Sequence, residues 1–448
     1  MIKVLPIVLA LFLSVSHFQL NYIGENFLTD EIKNPRNHLT QDNDNRNEVK
    51  AKVLSVSEAS SASRNGKIFS DDENFSSNES DEIILRLTWG VVPGAVKYKV
   101  FSDDEEFLSY TTGIEISMEN MDKVFHVTAL DFDDNVVLDD VKITDTELNP
   151  KRPLTMTEFD KMSFSPIYLV YSWIPAVNAD HYEIQLIRDN EIVREFVTEY
   201  HPQDDNFDFY DPEPVLEEGE YFWRVRGLNP NNKPVTAWSE QKAGNTFSVR
   251  KPARFCAIGD SITHGGGSIS VPPSTAIYNW ETYCSLPVKN LAKSGDTTEQ
   301  ILQRFDQDVL PFEPEILIIM AGVNDYRNGI LGWHSVTNLR AIREKCEQNG
   351  IKPVFVTPTP VNPKVMRKIK FVDPPQPDWK EHMDYICDWV RQQEYHIDIE
   401  DDFSDENGIL RNDLAVDGLH PDVEGKEIIG HAVGNWLNNY LDSFLPTD

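Results

Sequence analysis

Two short segments in the C-terminal half contain the residue types of serine-based acyl transfer. Ser261 lies within Gly259-Asp-Ser-Ile-Thr263, and Asp417 precedes His420 by three residues in Asp417-Gly-Leu-His-Pro421. A serine hydroxyl is a weak nucleophile near neutral pH and needs an adjacent base, for which imidazole has a suitable resting pKa. A carboxylate bonded to the far ring nitrogen fixes the tautomer of that base. The spacing predicts Ser261 as nucleophile, His420 as general base and Asp417 as the residue that orients the base.

Two further segments offer hydrogen-bond donors for an oxyanion. Gly295 lies in Ser294-Gly-Asp-Thr297, where glycine lets a substrate approach the main chain, and Asn324 lies in Gly322-Val-Asn-Asp325. When Ser261 attacks an ester carbonyl, the carbonyl oxygen becomes an anion. The N–H groups of Ser261 and Gly295 and the side-chain amide of Asn324 are the predicted donors to it.

Each of these residues also has a structural interpretation. Ser261 could cap a helix, His420 could be a loop histidine, and Gly295 and Asn324 could only form turns. Asp417 could also serve in a loop, because Asp413 and Asp422 lie nearby and could replace it. Asp260 and Asp325 are interpreted as supports of their turns and not as catalytic residues. Lys293 and Asp296 flank Ser294-Gly295. Neither replaces the glycine, so its N–H remains a predicted donor.

The elements that must position these residues alternate between strand and helix. Short apolar runs predict strands buried on both faces of a parallel sheet, and they lie at Phe255–Ile258, Pro287–Leu291, Ile316–Met320 and Pro353–Val356. Helices are predicted from an N-cap at Asp296 with Glu299 as its capping-box partner, and near Ser335–Gln348, Trp379–Gln393 and Glu424–Leu441. This alternation predicts a doubly wound α/β domain, whose ligands bind beyond the carboxyl ends of its strands.

The four segments, in this order and each at its own strand end, resemble the blocks of the SGNH (GDSL-type) hydrolases, a superfamily of esterases and lipases. The resemblance covers roughly residues 253–442, within a domain predicted over 251–445. It implies a flavodoxin-like fold, a Ser261–His420–Asp417 triad and an oxyanion hole formed by Ser261, Gly295 and Asn324. No metal and no organic cofactor are expected.

The middle of the chain predicts two antiparallel β-sandwiches, over residues 82–150 and 160–250. Apolar and polar residues alternate there in short runs bounded by turn residues. Trp89 precedes Tyr98 by nine residues and Trp173 precedes Tyr182 by nine, which indicates an internal repeat. The tryptophan and tyrosine spacing, with Tyr221-Phe-Trp-Arg-Val-Arg226 in the second copy, resembles the fibronectin type III family. This resemblance implies a spacer, or contacts with carbohydrate or the cell surface, and no catalytic residue.

The N-terminus predicts export. Lys3, the apolar run Val4–Leu13 and the small residues after it are typical of a signal peptide over residues 1–20, with an uncleaved anchor as the alternative. A polar arm poor in apolar residues follows over 21–81 and predicts disorder. The protein is therefore expected to be secreted or in the cell envelope.

Composition limits the partners. Lys and Arg total 41 against 74 Asp and Glu among the 448 residues, a net charge of −33, which argues against nucleic acid or an anionic bilayer as the main partner. The four cysteines are too sparse for a disulfide framework and form no Cys-x-x-Cys pair, so they are expected to be small core residues, although export would permit one bridge.

These observations together predict an exported serine esterase that removes small acyl groups, such as acetyl, from polysaccharide. The alternatives are a lysophospholipase or thioesterase, and a catalytically inactive adhesin or carbohydrate-binding protein. Specificity is expected in the loops above the strand ends, which span 265–280, 326–334 and 361–377. The last loop contains a cation cluster that is either solvated surface or a contact for an anionic group of the substrate, and it consists of Lys364, Arg367, Lys368 and Lys370.

Overall fold

The computed structural model describes residues 83–119, 122–198, 208–268, 271–366 and 374–443. The predicted signal peptide and polar arm lie outside these ranges, as do Arg367, Lys368 and Lys370 of the cation cluster. Within the described residues, no helix has both the length and the apolar character that crossing a bilayer requires.

Residues 83–148, the first β-module, form two antiparallel sheets that share one hydrophobic core. Its strands are β1 (Ile83–Trp89), β2 (Lys97–Phe101), β3 (Glu106–Ser109), β4 (Gly113–Met118), β5 (His126–Leu130), β6 (Val136–Leu138) and β7 (Ile143–Leu148). The sheet orders are β4-β1-β7 and β3-β2-β5-β6. The rings of Trp89 and Tyr98 meet in the core with their centroids 5.4 Å apart.

Residues 154–249, the second β-module, have a similar construction. Its strands are β8 (Leu154–Thr155), β9 (Val170–Ile174), β10 (His181–Arg188), β11 (Glu191–Val197), β12 (Asp208–Tyr210), β13 (Gly219–Leu228) and β14 (Thr246–Val249). The sheet orders are β12-β9-β8 and β11-β10-β13-β14. The rings of Trp173 and Tyr182 lie 5.0 Å apart, as in the first copy. Because β8 pairs with β9, the sheets of this module begin before the predicted boundary at residue 160.

A buried ion pair within the first module also contacts the second module. The Arg86 guanidinium lies 2.6 Å from Glu115, and the other carboxylate oxygen of Glu115 accepts a bond from the Val177 N–H of the second module at 3.1 Å. Both side chains of the pair are almost fully buried. The Val177 N–H therefore links the second module to a buried carboxylate of the first.

The C-terminal domain is a doubly wound α/β fold around a five-stranded parallel sheet. Its strands are β15 (Phe255–Gly259), β16 (Lys289–Asn290), β17 (Ile316–Met320), β18 (Lys352–Val356) and β19 (His396–Ile397). Its helices are α1 (Ser261–His264), α2 (Thr298–Asp308), α3 (Val323–Arg327), α4 (Gly332–Gln348), α5 (Pro363–Met366), α6 (Trp379–Arg391), α7 (Glu400–Phe403) and α8 (Val423–Asp442). Counted from β15, the strand order is 2-1-3-4-5, the flavodoxin-like arrangement.

Two sequence expectations differ from the structure. The N-cap of α2 is Thr297, in a capping box with Gln300, and the prediction of Asp296 is wrong because the Asp296 carboxylate is bound by Arg304 instead. The short strand β19 is not among the predicted strands, because two residues are too few to show an apolar run or an alternation of apolar and polar residues. The four cysteines are free thiols, three of them buried, with no disulfide between them.

Candidate active site

Ser261 is the first residue of α1, directly after the end of β15. Asp260 is the N-cap, and its carboxylate accepts the Ile262 N–H at 3.0 Å. As the first helical residue, Ser261 has an N–H with no carbonyl partner inside the helix, and its side chain is half-buried. Burial of the Asp260 carboxyl raises its pKa to about 7. The strand end therefore presents both a hydroxyl and a backbone donor to the crevice.

Asp417 and His420 lie in the loop before α8, and their side chains meet Ser261. The Nε2 atom of His420 lies 2.9 Å from the Ser261 hydroxyl oxygen, and Nδ1 lies 2.7 Å from Asp417 Oδ2. A carboxylate only accepts, so Nδ1–H donates to Asp417 and Nε2 is left to accept the serine proton. The other Asp417 oxygen accepts the Leu419 and His420 N–H groups at 2.8 and 2.7 Å, which holds the buried carboxylate in place.

The neighbouring aspartates have other partners. Asp413 forms an ion pair with Arg411, and Asp422 caps α8 by accepting the Val423 N–H at 3.0 Å. Among the three acids of this segment, Asp417 is thus the one whose carboxylate lies on the imidazole of His420.

Gly295 lies on the loop after β16, and Asn324 is the second residue of α3, the helix that follows β17. Gly295 is exposed with φ +88°, and a Cβ there would meet no atom within 4 Å, so its backbone opens into free space. The Asn324 Oδ1 accepts a bond from Arg327 at 3.0 Å, which turns the amide nitrogen the other way. One Nδ2 hydrogen donates to the Asp296 carbonyl at 3.0 Å, and the second remains for another acceptor.

Arg304 on α2 supports the loop that carries Gly295. Its Nε lies 2.5 Å from Asp296 Oδ2, and its terminal nitrogens donate to the Leu291 and Gly259 carbonyls at 2.6 and 3.2 Å. Arg304 also lies 3.0 Å from the fully buried Asp308 carboxylate. One guanidinium therefore ties the ends of two strands together behind the site.

Asp325 supports the adjacent turn. Its carboxylate accepts bonds from the Thr298 N–H at 2.9 Å and the Ser335 hydroxyl at 2.9 Å, and burial raises its pKa. This agrees with the structural role that the sequence suggested for Asp325. The side chain of Lys293, by contrast, points to the second β-module, where its Nζ lies 4.5 Å from the Tyr168 ring centroid.

Two residues near the site were missed in the sequence. Lys426 on α8 is fully buried and donates to the Ile262 carbonyl at 2.7 Å, so it joins α1, which begins with Ser261, to α8, which follows His420. Burial lowers its pKa, and the buried Glu281 counteracts that shift. His264, at the end of α1, is also buried. The one signal in the sequence for such a role is a lysine on the face of α8 that is buried, because charged side chains are almost never fully buried unless they have a partner.

The predicted specificity loops are mostly packed. Tyr278 and Trp280 are buried, whereas Trp333 remains more than half exposed and stacks on His334. Lys364 lies exposed on α5. Contact between the cation cluster and an anionic group of the substrate stays a prediction. Within the described part of the chain, no group of three or more His, Cys, Asp or Glu side chains is arranged to hold a metal ion.

Residues 257–428 match the model of the GDSL-like Lipase/Acylhydrolase family. Among curated proteins no relative of the chain is found.

Solved structures with a similar region include a GDSL-like lipase from Bacteroides thetaiotaomicron, with 19% identity over 43% of this chain and 93% of that one and a TM-score of 0.36. The lipase/acylhydrolase of Enterococcus faecalis is 22% identical over 42% of this chain and 97% of its own, with a TM-score of 0.35. An acetylxylan esterase mutant from Geobacillus stearothermophilus is 19% identical over 42% and 95%, with a TM-score of 0.33. The comparison thus shows that residues 257–428, within the C-terminal domain, are similar to the GDSL-like Lipase/Acylhydrolase family.

Proposed function

We propose that the protein is an exported serine esterase that removes small acyl groups, such as acetyl, from polysaccharide. The observation that carries the proposal is the continuous hydrogen-bonded series Ser261–His420–Asp417, with separations of 2.9 and 2.7 Å. A hydroxyl within reach of an oriented imidazole is the arrangement that acyl transfer needs.

The reaction proceeds in two halves. His420 takes the Ser261 proton as Oγ attacks the ester carbonyl, and the tetrahedral oxyanion is met by the N–H groups of Ser261 and Gly295 and the Asn324 amide. His420 then gives its proton to the departing alcohol, which leaves an acyl-serine. Water, activated by the same imidazole, attacks the acyl-serine and releases the carboxylic acid, and Ser261 recovers its proton. The proton carrier and the hydrogen-bond donors in these steps are all groups of the chain itself, from its side chains and its backbone.

The surroundings of the site favour a large substrate. The first β-module reaches the loop before α8, where a Cβ on Gly94 would lie 3.7 Å from Asp422 and 3.8 Å from Val416. The second β-module contacts the loop of Gly295 through Lys293, whose Nζ lies 3.2 Å from the Pro212 carbonyl. Modules placed beside an open site suit a polymer that cannot be enclosed. In this proposal both modules are fibronectin type III-like, which the sheet order of the second module supports.

One observation favours a lipid substrate as the second candidate. The edge strand β6 has three residues, and all are exposed: Val136, Val137 and Leu138. A Cβ on Gly94 would lie 3.7 Å from Val137 and 3.8 Å from Val416, so the strand lies beside the loop that precedes α8. An exposed apolar strand beside the catalytic loop could receive a long acyl chain.

A panel of aryl esters with acyl chains from acetyl upward, together with acetylated xylan, separates these candidates. We expect the full-length protein to hydrolyse aryl acetate and to release acetate from xylan. We also expect a fluorophosphonate to label one residue stoichiometrically, with the adduct on the Ser261 peptide by mass spectrometry. A preference for chains of about eight carbons or more would favour the lipid candidate, and no turnover with no labelling would exclude an esterase altogether.

Replacing Asn324 by alanine is expected to lower kcat by roughly 10²- to 10³-fold, since one oxyanion donor contributes about 2.7–4 kcal/mol to the transition state. KM should change little, because the uncharged carbonyl of the bound ester needs the donor less than the oxyanion does. Steady-state kinetics on aryl acetate measures both constants. The matched control is Asn435→Ala, an exposed site on α8, which should leave kcat unchanged. Equal kcat for the Asn324→Ala variant and the parent would remove Asn324 from the oxyanion hole.

A further inference from the structure

The second β-module and the C-terminal domain form one hydrophobic core, and polar contacts cross their boundary close to the site. The Tyr168 hydroxyl donates to Asp308 at 2.8 Å, and the buried Lys289 donates to the Ser165 carbonyl at 2.8 Å. The Tyr168 carbonyl accepts a third contact, from His264 Nε2 at 2.7 Å. This last contact reaches the helix that begins with Ser261.

His264 has a single tautomer that fits its surroundings. A carbonyl oxygen can only accept, so Nε2 must carry the proton that is given to Tyr168. The other nitrogen, Nδ1, then accepts, and Ser294 supplies two donors, its hydroxyl at 2.8 Å and its backbone N–H at 3.3 Å. Burial lowers the pKa of His264 to about 4, which keeps the ring neutral as this arrangement requires.

Ser294 is the residue directly before Gly295. The segment is held on its other side by Asp296, whose carboxylate binds Arg304 and whose carbonyl accepts from Asn324. His264 holds the near side through the hydroxyl and the backbone N–H of Ser294. The Gly295 N–H therefore lies between two anchored residues, and glycine itself has no side chain that could restrain it.

We propose that His264 is a positioning residue, through which the Tyr168 carbonyl of the second β-module fixes Ser294 and thereby the Gly295 N–H of the oxyanion hole. The inference rests on the proposed esterase function and adds a role for the second β-module in the catalytic step. His264 itself touches neither the substrate nor the reacting atoms.

Loss of either bond should lower kcat by about 10- to 100-fold, less than removal of a donor outright, because the Gly295 N–H remains present but is less well placed. KM should stay within about twofold, since the donor acts mainly on the oxyanion of the transition state. A role confined to stability would lower the melting temperature and leave kcat of the folded enzyme unchanged.

Two substitutions in the full-length protein separate the two bonds. The amide of His264→Gln can reach the Tyr168 carbonyl but leaves no acceptor where Nδ1 lay. The amide of His264→Asn can accept from Ser294 but is too short to reach Tyr168. We expect both variants to lose kcat on aryl acetate, whereas His431→Gln, an exposed histidine on α8, should match the parent.

A parental kcat in His264→Gln would overturn the link to Ser294, and a parental kcat in His264→Asn would overturn the role of the second β-module. If either histidine variant fails to fold, Ser294→Ala supplies the test, because it removes only a half-buried hydroxyl. Its kcat should also fall, and an unchanged value would refute the proposal. Combined with a folded His264→Gln, Ser294→Ala should add little further loss, because both changes break the same hydrogen bond.

The failure of this inference differs from the failure of the proposed function. If the parent protein hydrolyses esters and Ser261 takes the fluorophosphonate, while the His264 and Ser294 variants keep the parental kcat, only the positioning role is refuted. If the parent neither turns over esters nor takes the label, the esterase proposal fails and the positioning role fails with it.

Discussion

The Ser261→Ala variant is expected to lose ester hydrolysis by roughly 10⁶-fold in kcat, the scale seen when the nucleophile of a serine hydrolase is removed. The reason is chemical, because an alanine methyl group cannot attack the carbonyl, and the imidazole of His420 is left with no hydroxyl within 2.9 Å to deprotonate. The remaining oxyanion donors and substrate binding give only a small residual rate.

The fold of this variant should be unchanged. Asp260 still caps α1 through the Ile262 N–H, and the lost hydroxyl lies in a half-buried position. The melting temperature should therefore equal that of the parent, and fluorophosphonate labelling should disappear. Ser285→Ala, at an exposed serine of the same domain, serves as the control and should keep both activity and labelling. Hydrolysis at the parental rate by Ser261→Ala would contradict the nucleophile assignment.

The Arg304→Met variant is expected to lose about 3–5 kcal/mol of the free energy of unfolding of the C-terminal domain, because it leaves two buried carboxylates without their cationic partner. Asp296 and Asp308 are 5% and 0% exposed, and Arg304 lies 2.5 and 3.0 Å from them. Methionine replaces the length of the arginine stem and none of its five donors. The carbonyls of Gly259 and Leu291 lose their bonds as well.

Urea denaturation followed by tryptophan fluorescence measures the loss as a lower transition midpoint. Lys380→Met is the matched control, because it breaks an exposed pair with Asp384 at 2.7 Å, and such pairs contribute about 0–1 kcal/mol. Arg304→Met should also lower kcat in the remaining folded enzyme, since Asp296 adjoins Gly295. An equal midpoint for the two variants would show that Arg304 does not hold the strand ends together.

The main features of the C-terminal domain could be predicted because the α/β pattern brings strand ends to one edge of the sheet. Ser261 follows β15 and Asn324 follows β17, so residues far apart in the chain had to meet there. Local periodicity also gave α4, α6 and α8 to within a few residues of their bounds. The structure brings the side chains of Ser261 and Asp417 to the two ring nitrogens of His420, and the catalytic roles of the three residues stay a prediction.

The remaining features depend on partners that the local sequence does not show. Asp296 and Thr297 are both good N-cap residues. Arg304, within α2, binds the Asp296 carboxylate, so Thr297 is the residue that caps the helix. The role of His264 required the Tyr168 carbonyl, 96 positions away in a different module. No period, cap or turn signal reports a contact of that kind.

The common core of the second β-module and the C-terminal domain means that the change of fold class near residue 250 is not a place where the molecule can be divided. A fragment beginning there would leave apolar groups that now face the second β-module open to water, and Lys289 and Asp308 would lose their hydrogen bonds to Ser165 and Tyr168. Such a fragment should self-associate when expressed alone. Recombination between related genes would have to transfer both parts together to preserve a working enzyme.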